Sequence, residues 1–256
     1  MKKILITILA LLLIPLPALA ANTHSIDLEL DQAEYLSIAD ASQTGLDLAS
    51  DFTFEGWVKF ESLPGSGTRR GFLSKGASTP NKAYFFDLVN LSGTLYLDLT
   101  LSNDGTSDAS NRTTWTPSVD TWYHVAVSYD LAAGTAQFYV NGSAQGSAVA
   151  GGKTSLNNSN QPFTLGENNL NSTDYMDGLM DDWRVWSDIR TGTEISDNYQ
   201  TELVGNEANL VGYWKLNNNA NDETANNNDL TENNTPTYST DVPFTGAAAR
   251  RRIINW

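Results

Sequence analysis

FTFEGWVKF (52–60) is an alternating stretch that predicts a β-strand, and three further stretches repeat its pattern: TWYHVAVSYD (121–130), AQFYVNGSAQG (136–146) and GLMDDWRVW (178–186). Alternation of apolar and polar residues is the period of a strand with one buried face. Asn141-Gly142 closes one pair of these strands, because a two-residue hairpin turn needs positive φ at both positions. The four stretches therefore predict antiparallel strands joined by hairpins.

Two other segments complete this prediction. YFFDLV (84–89) is followed by a Ser-Gly turn and then by leucines at every second position from Leu95 to Leu101, which indicates another hairpin. Thr191 and Glu194 form a capping box ahead of an apolar residue, which predicts one short helix near 191–201. We therefore expect an all-β, two-sheet antiparallel sandwich with a single short helix.

The two ends of the chain differ from the rest. Residues 1–20 combine Lys2 and Lys3, an apolar run and an Ala-Leu-Ala box, which is typical of a secretory signal peptide cleaved after Ala20. A short membrane anchor is the alternative, but the run is shorter than the ~20 residues that span a bilayer. We expect one domain over 21–244, a basic tail over 245–256 that contains Arg250–Arg252, and a secreted or cell-surface location.

The amino-acid composition limits the classes of molecule that this protein is expected to bind. The formal net charge is −15, which repels phosphate backbones and disfavours nucleic acid as a partner. The same charge attracts divalent cations. The chain has no cysteine, so no disulfide stabilises it. No later stretch approaches the ~18 apolar residues of a membrane span, so no transmembrane segment is expected in the mature chain.

Several short motifs occur in a fixed order: F-T-x-x-x-W at 52–57, W-x-H-V-A at 122–126, Y-V-N-G at 139–142, and a form of G-x-I-D-x-x-R-I-[YW] at 178–186 with Met and Val in place of Ile. Together they resemble the laminin G-like, concanavalin A-like jelly roll over roughly 25–244. The segment 210–231 is similar to one that commonly opens such a domain. It either completes the sandwich in permuted order, which we expect, or is the remnant of a second copy.

The Asn- and Asp-rich stretch 217–234 predicts a polar loop, with an ion-holding loop as the alternative.

Catalysis finds little support in the residues. The chain has only His24 and His124 and no cysteine, so a nucleophilic triad is not expected. Asp27, Glu29 and Asp31 alternate, as do the acids of jelly-roll glycoside hydrolases, but their order differs from that of the hydrolases. We interpret them as the solvated face of a strand and expect no enzyme activity.

The resemblance also implies site residues. Asp181 occupies the position that often supplies a carboxylate to calcium in such domains, and the acidic turn at Asp31 is expected opposite it. These two residues are the predicted ligands of a structural calcium ion, which takes six to eight oxygen ligands. Trp115 and Tyr175 lie in predicted loops and are the candidates for stacking on a sugar ring, although packing is the favoured explanation for Trp115.

The fold that this resemblance implies is shared by lectins, adhesion modules and hydrolases. The function must therefore be argued from a specific binding or catalytic site rather than from the fold. We expect a secreted, non-catalytic binding module for a glycan or a surface protein, in carbohydrate recognition or cell-surface adhesion. The alternatives are a jelly-roll glycoside hydrolase or lyase, and a structural interaction domain of a surface assembly.

Overall fold

The computed structural model describes residues 22–170 and 173–244, so the predicted signal peptide and the basic tail lie outside the described residues. Within those ranges the chain is built almost entirely of β-strands, with one α-helix, α1 (Gly192–Asn198). The strands are β1 Ser25–Leu28, β2 Tyr35–Ile38, β3 Phe52–Phe60, β4 Arg69–Gly76, β5 Lys82–Leu91, β6 Thr94–Ser102, β7 Asp108–Thr114, β8 Trp122–Asp130, β9 Thr135–Val140, β10 Ser143–Ala144, β11 Phe163–Leu165, β12 Gly178–Trp186, β13 Leu210–Trp214, β14 Thr231–Asn233 and β15 Thr237–Ser239.

The strands form two antiparallel sheets packed face to face, which confirms the predicted jelly-roll sandwich. The eight-stranded sheet runs β10-β9-β8-β3-β12-β1-β15, with β13 also paired to β12. The seven-stranded sheet runs β14-β2-β11-β4-β5-β6-β7. Strands β13, β14 and β15 pair with β12, β2 and β1 respectively, so the segment after 210 completes this sandwich rather than starting a second copy.

The core lies between the sheets and is rich in aromatic rings. Phe72 and Phe86 of the seven-stranded sheet meet edge to face at 5.2 Å, and Trp183 of the other sheet packs against both. Gly56 on β3 makes room for that indole, since a Cβ there would lie 2.3 Å from the ring of Trp183. One missing side chain therefore allows the largest residue of the core to fit.

The predicted helix is present and short. Its capping box is complete, because Thr191 accepts from the Glu194 backbone N–H while the Glu194 carboxylate accepts from the Thr191 N–H. Ile195 is the buried residue of the helix and packs against Ala126 and Tyr139. No helix in the described part of the chain has the length and apolar character needed to cross a membrane.

The Asn- and Asp-rich stretch forms an ordered loop that ends in β14. The Asp222 carboxylate accepts the backbone N–H groups of Tyr213, Thr224 and Asn228 at 2.8–3.0 Å. The fully buried side chain of Asn228 bonds in turn to the backbone of Thr44. Side chain-to-backbone bonds of this kind are why such residues favour turns.

Candidate functional site

A groove of about 470 Å³ lies where the turn after β1, the loop before β4 and the loop before β12 meet. Its size is within the range of small-molecule binding sites. Two of the four residues that the sequence nominated, Asp31 and Tyr175, both line it. The described residues that line it are Leu30, Asp31, Ala33, Gly65, Thr68, Arg70, Thr173 and Tyr175.

Tyr175 supplies the aromatic surface of the groove. It forms an isolated β-bridge with Glu167, and its ring lies 5.9 Å from that of Tyr35. Its hydroxyl lies beside the Glu167 carboxylate, and burial raises the pKa of Glu167 to about 7. The ring is half-buried, so it is fixed at its edges while part of it remains open to the groove.

Arg70 forms a polar wall of the groove. Its guanidinium donates to the Ser62 carbonyl at 3.3 Å and to the Ser62 hydroxyl at 2.8 Å, and that hydroxyl donates to the Asp177 carboxylate. Burial lowers the pKa of Arg70, although the charges of Asp177 and Asp174 act in the opposite direction. Asp31 stands exposed on the one-turn helix Leu30–Gln32. The groove therefore combines a ring face with a cation and an anion.

Trp115 lies elsewhere and has a packing role. Only 7 % of the residue is exposed, and its ring packs against Phe60 at 6.0 Å and edge-on against Tyr123 at 5.2 Å. Both neighbours belong to or pack against the main core. The ring thus offers no open face for a sugar. The sequence identified Trp115 as an aromatic residue in a loop but could not show that its ring is buried.

Asp31 and Asp181 do not share a site. Strands β1 and β12 are neighbours, as expected, but Leu28 faces Gly178 and Ile26 faces Met180. Asp181 therefore lies level with Ser25 at the start of β1, whereas Asp31 follows the end of that strand. The four residues of β1 alone separate them by about 10 Å or more at ~3.3 Å per residue. The expectation that both bind one ion is wrong, because register was not readable from the sequence.

Asp181 instead belongs to a buried cluster of oxygen atoms, which we call the oxygen cluster: Asn22, Asp181, Glu202 and Asn217. Asn22 donates to Asp181 at 2.7 Å, and Asn217 donates to Glu202 at 3.0 Å while accepting the Thr23 backbone N–H at 2.7 Å. Asn22, Asp181 and Glu202 each keep one buried oxygen that has no hydrogen-bond partner among the described residues. Burial, followed by the nearby charges of Asp182 and Glu202, raises the pKa of Asp181 well above its usual range.

Unpartnered buried oxygens of this kind are costly unless something satisfies them. Carboxylate and amide oxygens are the ligands that calcium prefers, so the oxygen cluster fits that ion chemically. Among the described residues no three His, Cys, Asp or Glu side chains are grouped as metal ligands, so amide and backbone oxygens would have to complete the shell. Asn22 and Glu202 carried no sequence pattern that pointed to this role, whereas Asn217 begins the Asn- and Asp-rich stretch for which an ion-holding loop was the alternative.

The alternating acids near the N-terminus are not aligned on one strand. Strand β1 ends at Leu28, so only Asp27 is within it. Glu29 and Asp31 lie at and inside the following one-turn helix. Burial raises the pKa of Asp27, although the interpretation as a solvated strand face expected little burial there. His124 is fully buried with its Nε2 3.3 Å from Glu55, which is a position for packing rather than chemistry.

The family model of the concanavalin A-like lectin/glucanases superfamily matches residues 30–196. This chain belongs to that superfamily. The resemblance seen in the motifs is thus confirmed over most of the chain, including the groove and Asp181 but not Asn22, Glu202 or Asn217.

Solved structures show the same fold at low identity. A candidate carbohydrate binding protein from Bacteroides ovatus ATCC 8483 is 20% identical, with a TM-score of 0.67, covering 88% of this chain and 61% of its own. The heptameric SAP-like pentraxin of Limulus polyphemus is 15% identical, with a TM-score of 0.57 over 85% of this chain and 94% of its own.

The CBM40 of the Ruminococcus gnavus IT-sialidase, solved with α2,3-sialyllactose, is 15% identical, with a TM-score of 0.52 over 70% of this chain and 98% of its own. No curated protein matches.

Proposed function

We propose that this superfamily member is a secreted, non-catalytic module that binds a glycan in the groove of Asp31, Thr68, Arg70 and Tyr175. The observation that carries the proposal is the juxtaposition of the Tyr175 ring with the Arg70 guanidinium and the Asp31 carboxylate around one cavity. A sugar presents an apolar ring face and a rim of hydroxyls. An aromatic ring binds the face, and planar charged groups bind the rim.

The neighbours support a binding role. Two of the three solved structures reported above are named as carbohydrate binding, and the superfamily name includes lectins. The proposal of secretion rests on the signal peptide pattern in residues 1–20. A surface protein is the alternative occupant of the groove.

The absence of catalysis is part of the proposal. Hydrolysis of a glycosidic bond uses two carboxyl groups on opposite sides of that bond. Among the described residues that line the groove, Asp31 is the one with a carboxylate, and Glu167 interacts with the Tyr175 hydroxyl but is not part of the lining. Asp27 and Glu29, which the sequence pattern placed with Asp31, do not line the groove.

We propose in addition that the oxygen cluster holds a structural calcium ion through Asn22, Asp181 and Glu202. Such an ion would supply positive charge to two buried carboxylates. It would connect the segment before β1 to β12 and to the loop after α1, since the three residues come from these three places.

The groove is tested with a glycan array and then by isothermal titration calorimetry with the sugar that binds best. Tyr175→Ala removes the stacking surface, and Asp31→Asn removes an acceptor charge. We expect each to weaken binding about tenfold or more, which corresponds to about 1.4 kcal/mol. Tyr175→Phe keeps the ring and should bind nearly as well as the wild type.

Asp120→Asn is the matched control for Asp31→Asn, because Asp120 is exposed and lies outside the groove. Binding that survives both groove variants would reject the groove as the site. If the protein binds other proteins but no glycan, the result would favour the alternative of a structural interaction domain. Release of reducing sugar from the bound glycan would favour the hydrolase.

A further inference from the structure

A second polar site lies on the outer face of the seven-stranded sheet, outside the groove. Asp87 and Asp98 are completely buried there, on neighbouring strands. Arg69 Nη1 reaches both oxygens of Asp87 at 2.8 and 2.9 Å and one oxygen of Asp98 at 2.9 Å. Arg112 donates to Asp98 through Nε at 3.1 Å and Nη2 at 3.3 Å. The two arginines are thus anchored by two buried carboxylates.

The guanidinium groups keep donors that face outward. Arg69 Nε and Nη2 and Arg112 Nη1 make no hydrogen bond within the described residues, and the two side chains are 17% and 34% exposed. Anchoring fixes the side-chain rotamers before any ligand arrives, which reduces the entropy lost on binding. The result is a set of positioned N–H donors at the surface.

An aromatic ring lies next to these donors. Asp98 is opposite Arg112, and Tyr96, two residues earlier on β6, is opposite Thr114 and Val89. Residues i and i+2 of a strand share a face and lie about 7 Å apart, so Tyr96 projects beside the arginines. Its ring is half-buried, and its hydroxyl has no hydrogen-bond partner among the described residues.

Charge decides the class of ligand. Two arginines balance two aspartates, so the cluster has no net charge with all four groups ionised. The whole chain is strongly negative, which disfavours an acidic ligand. We propose that Arg69, Arg112 and Tyr96 form a second sugar-binding site, which takes a neutral sugar with vicinal hydroxyls.

The second site adjoins the groove but does not depend on it. Arg70, which follows Arg69 directly, lines the groove. Asn168 donates to Asp87 and belongs to the same loop as Tyr175. One side of that loop therefore faces the groove and the other borders the second site.

The experiment measures binding with the groove disabled. Tyr175→Ala protein is titrated by calorimetry with neutral trisaccharides of glucose, xylose, galactose and mannose, and with the trisaccharide of galacturonic acid. We expect a neutral trisaccharide to bind this protein. Adding Arg112→Met or Tyr96→Ala should then weaken that binding about tenfold or more.

Lys82→Met is the matched control, because Lys82 also forms a salt bridge on this sheet, with Asp108. It should leave the affinity within about twofold, which is less than 0.5 kcal/mol. Circular dichroism reports whether the Arg112→Met protein still folds. If it does not, the Tyr96→Ala variant alone tests the proposal. Absence of neutral-sugar binding in the Tyr175→Ala protein, binding insensitive to both variants, or binding of the galacturonate alone would overturn the proposal.

Discussion

Replacing Asp181 with asparagine is the sharpest test of the oxygen cluster, because it removes one charge and leaves the size of the side chain unchanged. Without an ion, the buried Asp181 lies near the charges of Asp182 and Glu202, and one of its oxygens has no hydrogen-bond partner in the described part of the chain. With an ion bound, the same charges become favourable. The substitution should therefore have opposite effects in the two conditions.

The magnitude follows from mass action. An ion that binds only the native state, at a hundredfold excess over Kd, raises the free energy of unfolding by about 2.7 kcal/mol. In a domain of this size each kcal/mol shifts Tm by roughly 2–4 °C. We therefore expect calcium to raise the Tm of the wild-type protein by about 5–10 °C over its value in chelator.

The assay is thermal unfolding followed by circular dichroism, with chelator and with excess calcium. Asp181→Asn should melt above the wild type in chelator and should gain nothing from calcium. Asp120→Asn, an exposed substitution outside the oxygen cluster, should respond as the wild type does. A wild-type Tm that is identical in both conditions, or an Asp181→Asn protein that still responds, would refute the reasoning.

Three further outcomes concern the fold and its pH dependence. Gly56→Ala should lower the free energy of unfolding by about 1–3 kcal/mol, because the new methyl group meets the Trp183 indole in a filled core. Thr191→Ala should cost about 1 kcal/mol by removing the helix cap. In chelator, stability should fall as pH rises from about 4.5 to 7, because burial raises the pKa of Glu167 to about 7 and the native state there retains a proton that the unfolded chain has lost.

Denaturant unfolding measures all three. Gly212→Ala is not a suitable control for Gly56, since its Cβ would also meet an indole. Gly65→Ala is suitable, because Gly65 is exposed, the nearest atom to its Cβ would be the Thr68 hydroxyl at 3.9 Å, and its φ is not in the left-handed region. Thr116→Ala, on the surface, should be neutral beside Thr191→Ala. Glu167→Gln should reduce the pH slope without abolishing it, because burial also raises the pKa of Asp182 to about 7, and an unchanged slope would contradict that assignment.

The strands and the helix were predictable because their determinants are local. The leucines of β6 alternate along one strand, and Asn141-Gly142 and the Thr191 capping box act within a few residues. Alternation also predicted strand β12, but all nine of its residues are buried, so the period did not show that both of its faces are covered.

The site was only partly predictable because it is assembled across the chain. Asn22 and Asp181 are 159 positions apart, and Thr23 and Asn217 are 194 apart. Residue type identified Tyr175 and Trp115 as candidates for stacking on a sugar, but Trp115 is buried in the core. The resemblance identified Asp31 as a calcium ligand beside Asp181, but the strand register separates the two residues. Glu202 has no local pattern, and its role follows from pairings that only the folded chain reveals.

The pairing of β1 with β15 has a mechanical consequence. Strand β15 is the edge of its sheet, and Ser25 at the start of β1 lies opposite Ser239 at the end of β15. The first and last strands of the described fold therefore begin and end next to each other. A force that pulls these ends apart acts across the hydrogen bonds and breaks them one after another, rather than loading them all at once. Under tension, the module should therefore peel at this edge while the remainder of the sandwich stays closed.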